Sequence, residues 1–294
     1  MAADDALVNT AHESGAPMLT PAPRAPLPHW LEQALRFDAC ALLRFCVGDR
    51  RIGWVRPEFA RLLARWPGVF TVTPDAVAFA DRLDSAAARS EAIAGVLQRL
   101  GEEGAVRGWR DECYRVPPRT GEPGSEPELF RMERAAHKLF GIESHASHLN
   151  GIVRTPAGPA MWIARRSADK TVDPGLLDNM VAGGIAADSD AWTTLQKECG
   201  EEAGVPGALA RRALRRGVLR FCRNHPEGAD VQCIDLYDLE LPADFVPQNR
   251  DGEVAEFRLL SPGELARELE QPGLFTVDAA LVANDCRERL AQVR

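Results

Sequence analysis

Three glutamates, Glu198, Glu201 and Glu202, stand at E-x-x-E-E spacing within GGIAADSDAWTTLQKECGEEAGV, residues 183–205. On a helix that turns about 100° per residue, Glu198 and Glu202 stack four apart and Glu201 lies on the adjoining edge. The same period gathers Trp192, Leu195, Cys199 and Ala203 into an apolar stripe expected to face a core. The carboxylates then converge where that stripe meets solvent. Like charges at this spacing destabilise an isolated helix. Mg2+ or Mn2+, hard cations that seek oxygen, would remove that cost and could hold substrate phosphates as well. A charge run of this kind is more often a plain solvated face, and spacing alone leaves both readings open.

The flanking residues frame such a helix. Gly183 and Gly184 allow a sharp backbone turn, Ser189 or Asp190 can cap the helix start, and Gly204 tolerates the positive φ that ends it. The helix is expected over residues 191–203. Other chemistries lack their motifs: there is no H-E-x-x-H, no G-x-x-x-x-G-K-[ST] phosphate loop and no G-x-S-x-G elbow. His145 and His148 form H-x-x-H without an evident third ligand and read as ordinary strand histidines.

The order of these residues resembles the Nudix box, G-x5-E-x7-R-E-U-x-E-E-x-G-U with U apolar. Gly183, Glu198, Cys199, Glu201, Glu202, Gly204 and Val205 occupy matching positions. Ser189 stands where the family has its first glutamate, and Lys197 replaces the arginine, keeping the charge but losing the planar fork. The likeness extends to residues 176–184, to Arg165-Arg166-Ser167 with Lys170, and to Asp251-Gly252-Glu253 through Phe257. In the first half, Gly53-Trp54-Val55, Trp66-Pro67-Gly68, Gly108-Trp109-Arg110-Asp111-Glu112 and Glu133-Arg134-Ala135-Ala136 are similar to the N-terminal DUF4743-type domain of one Nudix subfamily, whose members are labelled thiamine pyrophosphokinase-related.

The resemblance implies an α+β protein: a Nudix fold, an α-β-α sandwich with a mixed sheet between helices, preceded by a smaller α+β domain. It implies metal ligation by Glu198, Glu201 and Glu202, with Mg2+ or Mn2+, and hydrolysis of a phosphoanhydride in a small diphosphate compound. The subfamily points to thiamine diphosphate or its oxidised analogues. The competing readings are a nucleotide-sugar or dinucleotide pyrophosphatase and a Nudix module that binds without cutting. Glu253 is the candidate general base, matching a loop acid of some relatives, with Glu256 second. Arg165, Arg166 and Lys170 are candidate phosphate contacts. Adjacent strand residues point to opposite faces, so at most one of the two arginines serves from that strand. Asp178 and Asn179 either read the rest of the substrate or fix their loop by Asx-type hydrogen bonds. Trp162, Trp192 and Phe221 could stack on a ring, though each is as readily core.

The elements that must position these residues fall into two halves. Residues 1–27 are rich in Ala and Pro, carry acids and lack the basic start and apolar middle of a signal, so they read as a disordered tail. Residues 28–140 form the first domain. In it we expect a helix at 30–35, strands at 41–45 and 51–55, a helix at 57–66, a strand at 69–72 and a helix at 85–100 closed by Gly101. A strand at 109–116, an exposed loop at 117–128 rich in Pro, Gly and Ser, and a helix at 129–139 ended by Gly141 complete it. Residues 141–294 form the second domain: a hairpin at 148–165, a loop at 167–175, a strand at 179–181, the acidic helix, strands near 218–222, 231–239 and 256–260, and helices at 262–270 and 277–290. The Trp109–Glu112 cluster is where contacts between the halves are expected.

Composition bounds the rest. The chain of 294 residues is 45% hydrophobic and 27% charged, which suits two soluble domains. A net charge of −8 argues against a general nucleic-acid binder. No apolar run approaches the roughly 18–20 residues needed to span a bilayer. Seven cysteines, an odd number without C-x-x-C, indicate neither zinc nor a disulfide framework and suit a reducing cytoplasm. The expected partner is a small diphosphate, and the N-terminal domain leaves room for a homodimer.

Overall fold

The computed structural model describes residues 18–20, 26–117 and 128–292. Most of the expected tail and of the loop rich in Pro, Gly and Ser lies outside the described residues. Met18–Thr20, placed in the tail by sequence, is instead strand β1, paired antiparallel with residues 220–222.

The second half is built on a sheet whose side chains alternate between two cores. Strand β8 (Glu143–Thr155) and β9 (Gly158–Arg166) form the expected hairpin, and β10 (Leu177–Asn179) continues it beside β9. Strand β11 (Val181–Gly184) pairs with the first part of β8. Long strands β12 (Leu214–His225) and β13 (Gly228–Leu241) follow, β13 running parallel to β8, and β14 (Val254–Leu260) pairs with β9. Along β13, Ile234 and Leu236 enter one core while Tyr237, Leu239 and Leu241 enter the other, as a period of two requires. One face is covered by the acidic helix α5 (Ala191–Glu202) and the short α6 (Gly207–Ala210), the latter not foreseen in the sequence. The other is covered by α7 (Pro262–Leu269) and α8 (Val277–Gln292). A mixed sheet between helices is thus the architecture. Helix α1 (His29–Ala34) joins this second core, with Leu31 and Leu35 fully buried among residues of α7, α8 and the sheet.

The first half has its own sheet, ordered β3 (Arg50–Val55), β2 (Leu43–Val47), β5 (Ala76–Phe79), β4 (Phe70–Val72). Sequence reading missed β5. Helix α2 (Pro57–Leu63) and α3 (Ala86–Glu102) pack on a phenylalanine cluster around Phe45. Helix α3 runs through Gly101 rather than stopping there.

Two expectations fail in the segment that bears on the site. The strand expected at 109–116 is only β6 (Cys113–Val116). The helix expected at 129–139 is strand β7 (Phe130–Glu133), then a 3-10 turn (Arg134–Ala136) and a single turn, α4 (His137–Phe140). Phe130 and Met132 are buried while Arg131 is half-buried, and the backbone pairs with β6. Pairing with the preceding strand therefore outweighs the local helical pattern. Gly141 does end α4, at φ 54°.

The halves approach closely at Gly228, where a Cβ would lie 2.3 Å from the Lys138 carbonyl oxygen. Within the first half, a Cβ at Gly53 would lie 2.2 Å from the Phe140 carbonyl oxygen, which presses the last turn before Gly141 against β3.

Candidate active site

The acidic helix starts where Asp190 accepts the Trp192 and Thr193 amides, each at 2.9 Å, and ends at Gly204 with φ 61°. Leu195, Cys199 and Ala203 are buried as the stripe requires, while Trp192 is exposed, with its ring 5.9 Å from Tyr237. Gly183 and Gly184 do not make a turn. They lie in β11 paired to Ser147 and Ala146, and their value is close approach. A Cβ on Gly183 would stand 2.4 Å from Glu198 Cγ, so only glycine lets the helix carboxylate lie against the strand. Glu202 is buried, and its Oε2 accepts the Ala182 amide at 2.9 Å. Burial pushes its carboxyl up to about 8 and raises that of Glu198 as well. Lys197 lies 3.3 Å from Glu198 and 3.2 Å from Glu201.

These carboxylates open onto a cavity of about 610 Å3. Carboxylate oxygens of Glu198, Glu201 and Asp251 lie within 4.8 Å of one another. Asp251 comes from the loop before β14, where its carboxylate also accepts the Glu253 amide at 2.8 Å. Glu253 lines the cavity in an ion pair with Lys170, whose own pKa is lowered by burial. Glu256 faces elsewhere, paired with Arg165 at 2.7 Å, and neither of these two lines the cavity. Arg166 does line it, but donates to Asp178 at 2.7 Å and to the Val172 and Asp173 carbonyls. Asp178 is buried, and burial raises its pKa, with Asp278 of α8 adding to the effect. Its other oxygen accepts the adjacent Asn179 amide at 2.8 Å, and Asn179 in turn meets His148 Nδ1 at 2.7 Å.

Other sequence candidates disperse. Ser189 bonds the Thr194 hydroxyl at 2.9 Å and does not line the cavity. Neither do Trp162, Trp192 and Phe221. His145 and His148, by contrast, both line the cavity: His145 lies by Glu143 at 3.4 Å, with Arg220 on the far side of that carboxylate at 3.7 Å, and His148 meets Asn179.

What sequence reading missed is the other half of the lining. Arg107, Arg110, Glu112, Tyr114, Arg134 and Lys138 come from the first half of the chain. Arg110 and Glu112 sit in the cluster where contacts between the halves were expected. Asp251 stood in plain view in the DGE turn, but only the fold brings it to Glu198.

The donors suit a divalent cation. All are carboxylate oxygens, the ligands hard dications take, and Lys170, whose charge favours the ionised form of buried Glu202, is itself turned to Glu253.

Such a sheet flanked by helices, with a glutamate helix laid against a strand glycine, defines a Nudix-type site, and the comparisons agree. Residues 146–281 match the family model described as NUDIX domain, and residues 28–144 match Domain of unknown function (DUF4743). Nudix hydrolase 24, chloroplastic, of Arabidopsis thaliana is 34% identical over 252 residues, covering 85% of this chain and 68% of that protein. Nudix hydrolase 20, chloroplastic, of the same plant is 33% identical over 251 residues, covering 82% and 66%. A crystal structure of DR0079 from Deinococcus radiodurans is similar with a TM-score of 0.44 and 20% identity, over 62% of this chain and 100% of that one. The chain belongs to the Nudix hydrolase family, enzymes that cut pyrophosphate bonds and generally use divalent metals. It spans about two thirds of the length of the two plant relatives. Among the described residues no helix is long and apolar enough to cross a membrane.

Proposed function

We propose that this protein is a pyrophosphohydrolase dependent on Mg2+ or Mn2+, cutting the phosphoanhydride of a small organic diphosphate to the monophosphate. The observation that carries the reading is the convergence of Glu198, Glu201 and Asp251 on one cavity, with Glu202 buried behind them. Glu198, Glu201 and Asp251 would hold the metal, and Glu202 would complete or support that set. When bound, the metal supplies charge at phosphorus and a more acidic water. Glu253 lies where a cavity water would be in reach and is the proposed proton acceptor, with Lys170 fixing its carboxylate. Strand β11 forms one wall of the site and the N-terminal half another.

Within that class we propose thiamine diphosphate or its oxidised analogues as substrate. Buried Asp178, paired with Arg166, and half-buried Asp278 both line the cavity, and their carboxylates would suit a cationic or proton-donating ring. The seven free cysteines accord with a reducing compartment, and we place the protein in the cytoplasm. We place the division between the two folding units near residue 141.

The test is release of monophosphate from a panel of thiamine diphosphate, its oxidised analogues, ADP-ribose and diadenosine polyphosphates, with Mg2+ or Mn2+. We expect turnover of the thiamine compounds, abolished by chelator and by Glu202→Gln. A wild type that binds these compounds without cutting them would make this a ligand-binding module instead.

A further inference from the structure

The N-terminal domain has no assigned role, yet one wall of the cavity is made from it. The contact is close and specific. A Cβ on Gly184 would stand 2.7 Å from Arg134 Nη2 and 2.7 Å from Tyr114 Oη, so the arginine and the tyrosine rest on the backbone of the strand whose preceding residue, Gly183, abuts Glu198. The two glycines face opposite sides of β11. Glutamates therefore reach the cavity around one side of the strand, while Arg134 and Tyr114 close it from the other.

Arg134 is held rather than loose. Its Nη1 donates to Glu112 at 2.5 Å, its backbone amide donates to the Glu112 carbonyl at 2.8 Å, and its Cζ lies 5.5 Å from the Tyr114 ring centre. Glu112 is itself a cavity residue, and Tyr114 is buried. One edge of the guanidinium is thus spent on aiming the group, and the cavity-facing remainder keeps donors in a rigid fork. Arg107, Arg110 and Lys138 add positive charge to the same wall. Glutamates on one side and arginines on the other suit a ligand that is anionic and also bridges to a metal. Arg166 is more fully committed than Arg134, since its Nε, Nη1 and Nη2 all donate, to Asp178 and to the Val172 and Asp173 carbonyls.

We propose that the N-terminal domain is the substrate-selecting half of the active site, with Arg134, aimed by Glu112, contacting a phosphate oxygen of the bound diphosphate. Arg134 is then a substrate-binding residue, and Glu112 is a positioning residue that acts through it. The proposal rests on the hydrolase reading for its turnover test only, because binding can be measured without cleavage.

The experiment uses the full chain and imidodiphosphate, a diphosphate whose bridge resists hydrolysis, with Mn2+ and titration calorimetry. Wild type, Arg134→Ala, Arg134→Lys and Glu112→Gln are compared, with melting temperatures as the check on folding. We expect Arg134→Ala to weaken binding about tenfold or more, as for loss of a charged hydrogen bond, and Arg134→Lys to fall between it and wild type. In turnover, Glu112→Gln should raise KM several-fold while kcat stays within about twofold, a split that a merely structural contact would not produce. Folded Arg134→Ala that binds as wild type does would overturn the proposal, as would a wild type that does not bind the probe. If Arg134→Ala does not fold, Arg134→Lys decides, and unchanged affinity there is equally fatal. Failure of the two readings is separable. Wild-type turnover with Arg134 variants unaffected sinks this proposal alone. Arg134-dependent binding without any turnover sinks hydrolysis alone.

Discussion

At the residue scale the site depends on atoms that are missing as much as on atoms present. Gly183 leaves space for Glu198 Cγ that a methyl would occupy at 2.4 Å. Gly183→Ala must therefore push the acidic helix off its strand. We expect a loss of about 1–3 kcal/mol in stability, as for overpacking, together with a fall in turnover, read by denaturant melts and initial rates. Unchanged rates with lowered stability would show that the Glu198 position is not critical. Asp251 makes a second case. Its side chain is exposed and its oxygens fall with those of Glu198 and Glu201, so Asp251→Asn should leave the fold intact and raise the Mn2+ concentration needed for half-maximal rate about tenfold. Much of this chemistry was legible beforehand: the E-x-x-E-E spacing gave the carboxylate cluster because helix geometry is local. Asp251 was not, because the turn that holds it approaches the helix only through the sheet.

At the element scale, α5 is a short helix whose start is fastened by one side chain. Asp190 accepts two amides and a Thr193 hydroxyl at 3.0 Å, and those bonds hold its carboxyl below the usual range. Asp190→Ala should cost about 1 kcal/mol, the usual worth of a cap, and the urea midpoint would show it. A midpoint equal to that of wild type would mean the helix is held by packing alone. The elements read most nearly were those with a strong apolar period: α3, although it runs past Gly101, α7, and the β8–β9 hairpin. Strand β7 was misread because Phe130, Met132 and the polar residues after them also suit a helix, and only pairing with β6 discriminates. That error mattered, since it hid the placement of Arg134 at the cavity.

At the scale of the whole molecule, the seam between the halves carries titratable groups. Burial lowers His137 to about 4 and His225 to about 4, with Lys138 adding to the effect on each. Asp230 beside them falls to about 2: burial opposes its charge, but Lys138 and Arg223 hold it down. The sign follows from linkage. Both histidines are neutral when folded, and unfolded ones protonate near 6.5, so between pH 6.5 and 4 the unfolded chain binds more protons. Their contribution is fully present above 6.5 and is lost as pH falls through that window. Asp230 acts the same way lower down, between 3.8 and 2. We expect the melting temperature to drop steadily from pH 7 to pH 4.5, and to drop less in a His137→Gln variant. A flat profile would remove the seam as the site of acid sensitivity.

The sequence by itself determined what is carried by local spacing and by side-chain chemistry: the carboxylate helix, its caps, the hairpin and the likeness to the Nudix box. It also suggested two halves and singled out Trp109–Glu112, of which Arg110 and Glu112 line the cavity. Only the tertiary structure decided that the paired glycines serve contact rather than a turn. It also decided that Arg165 and Glu256 satisfy each other away from the cavity, and that Asp251 and Arg134 belong at the site. The reason is one of range. Helical period and capping act over a few residues, whereas the cavity is closed by strands and loops more than a hundred residues apart, whose meeting depends on which buried faces the folded chain brings together.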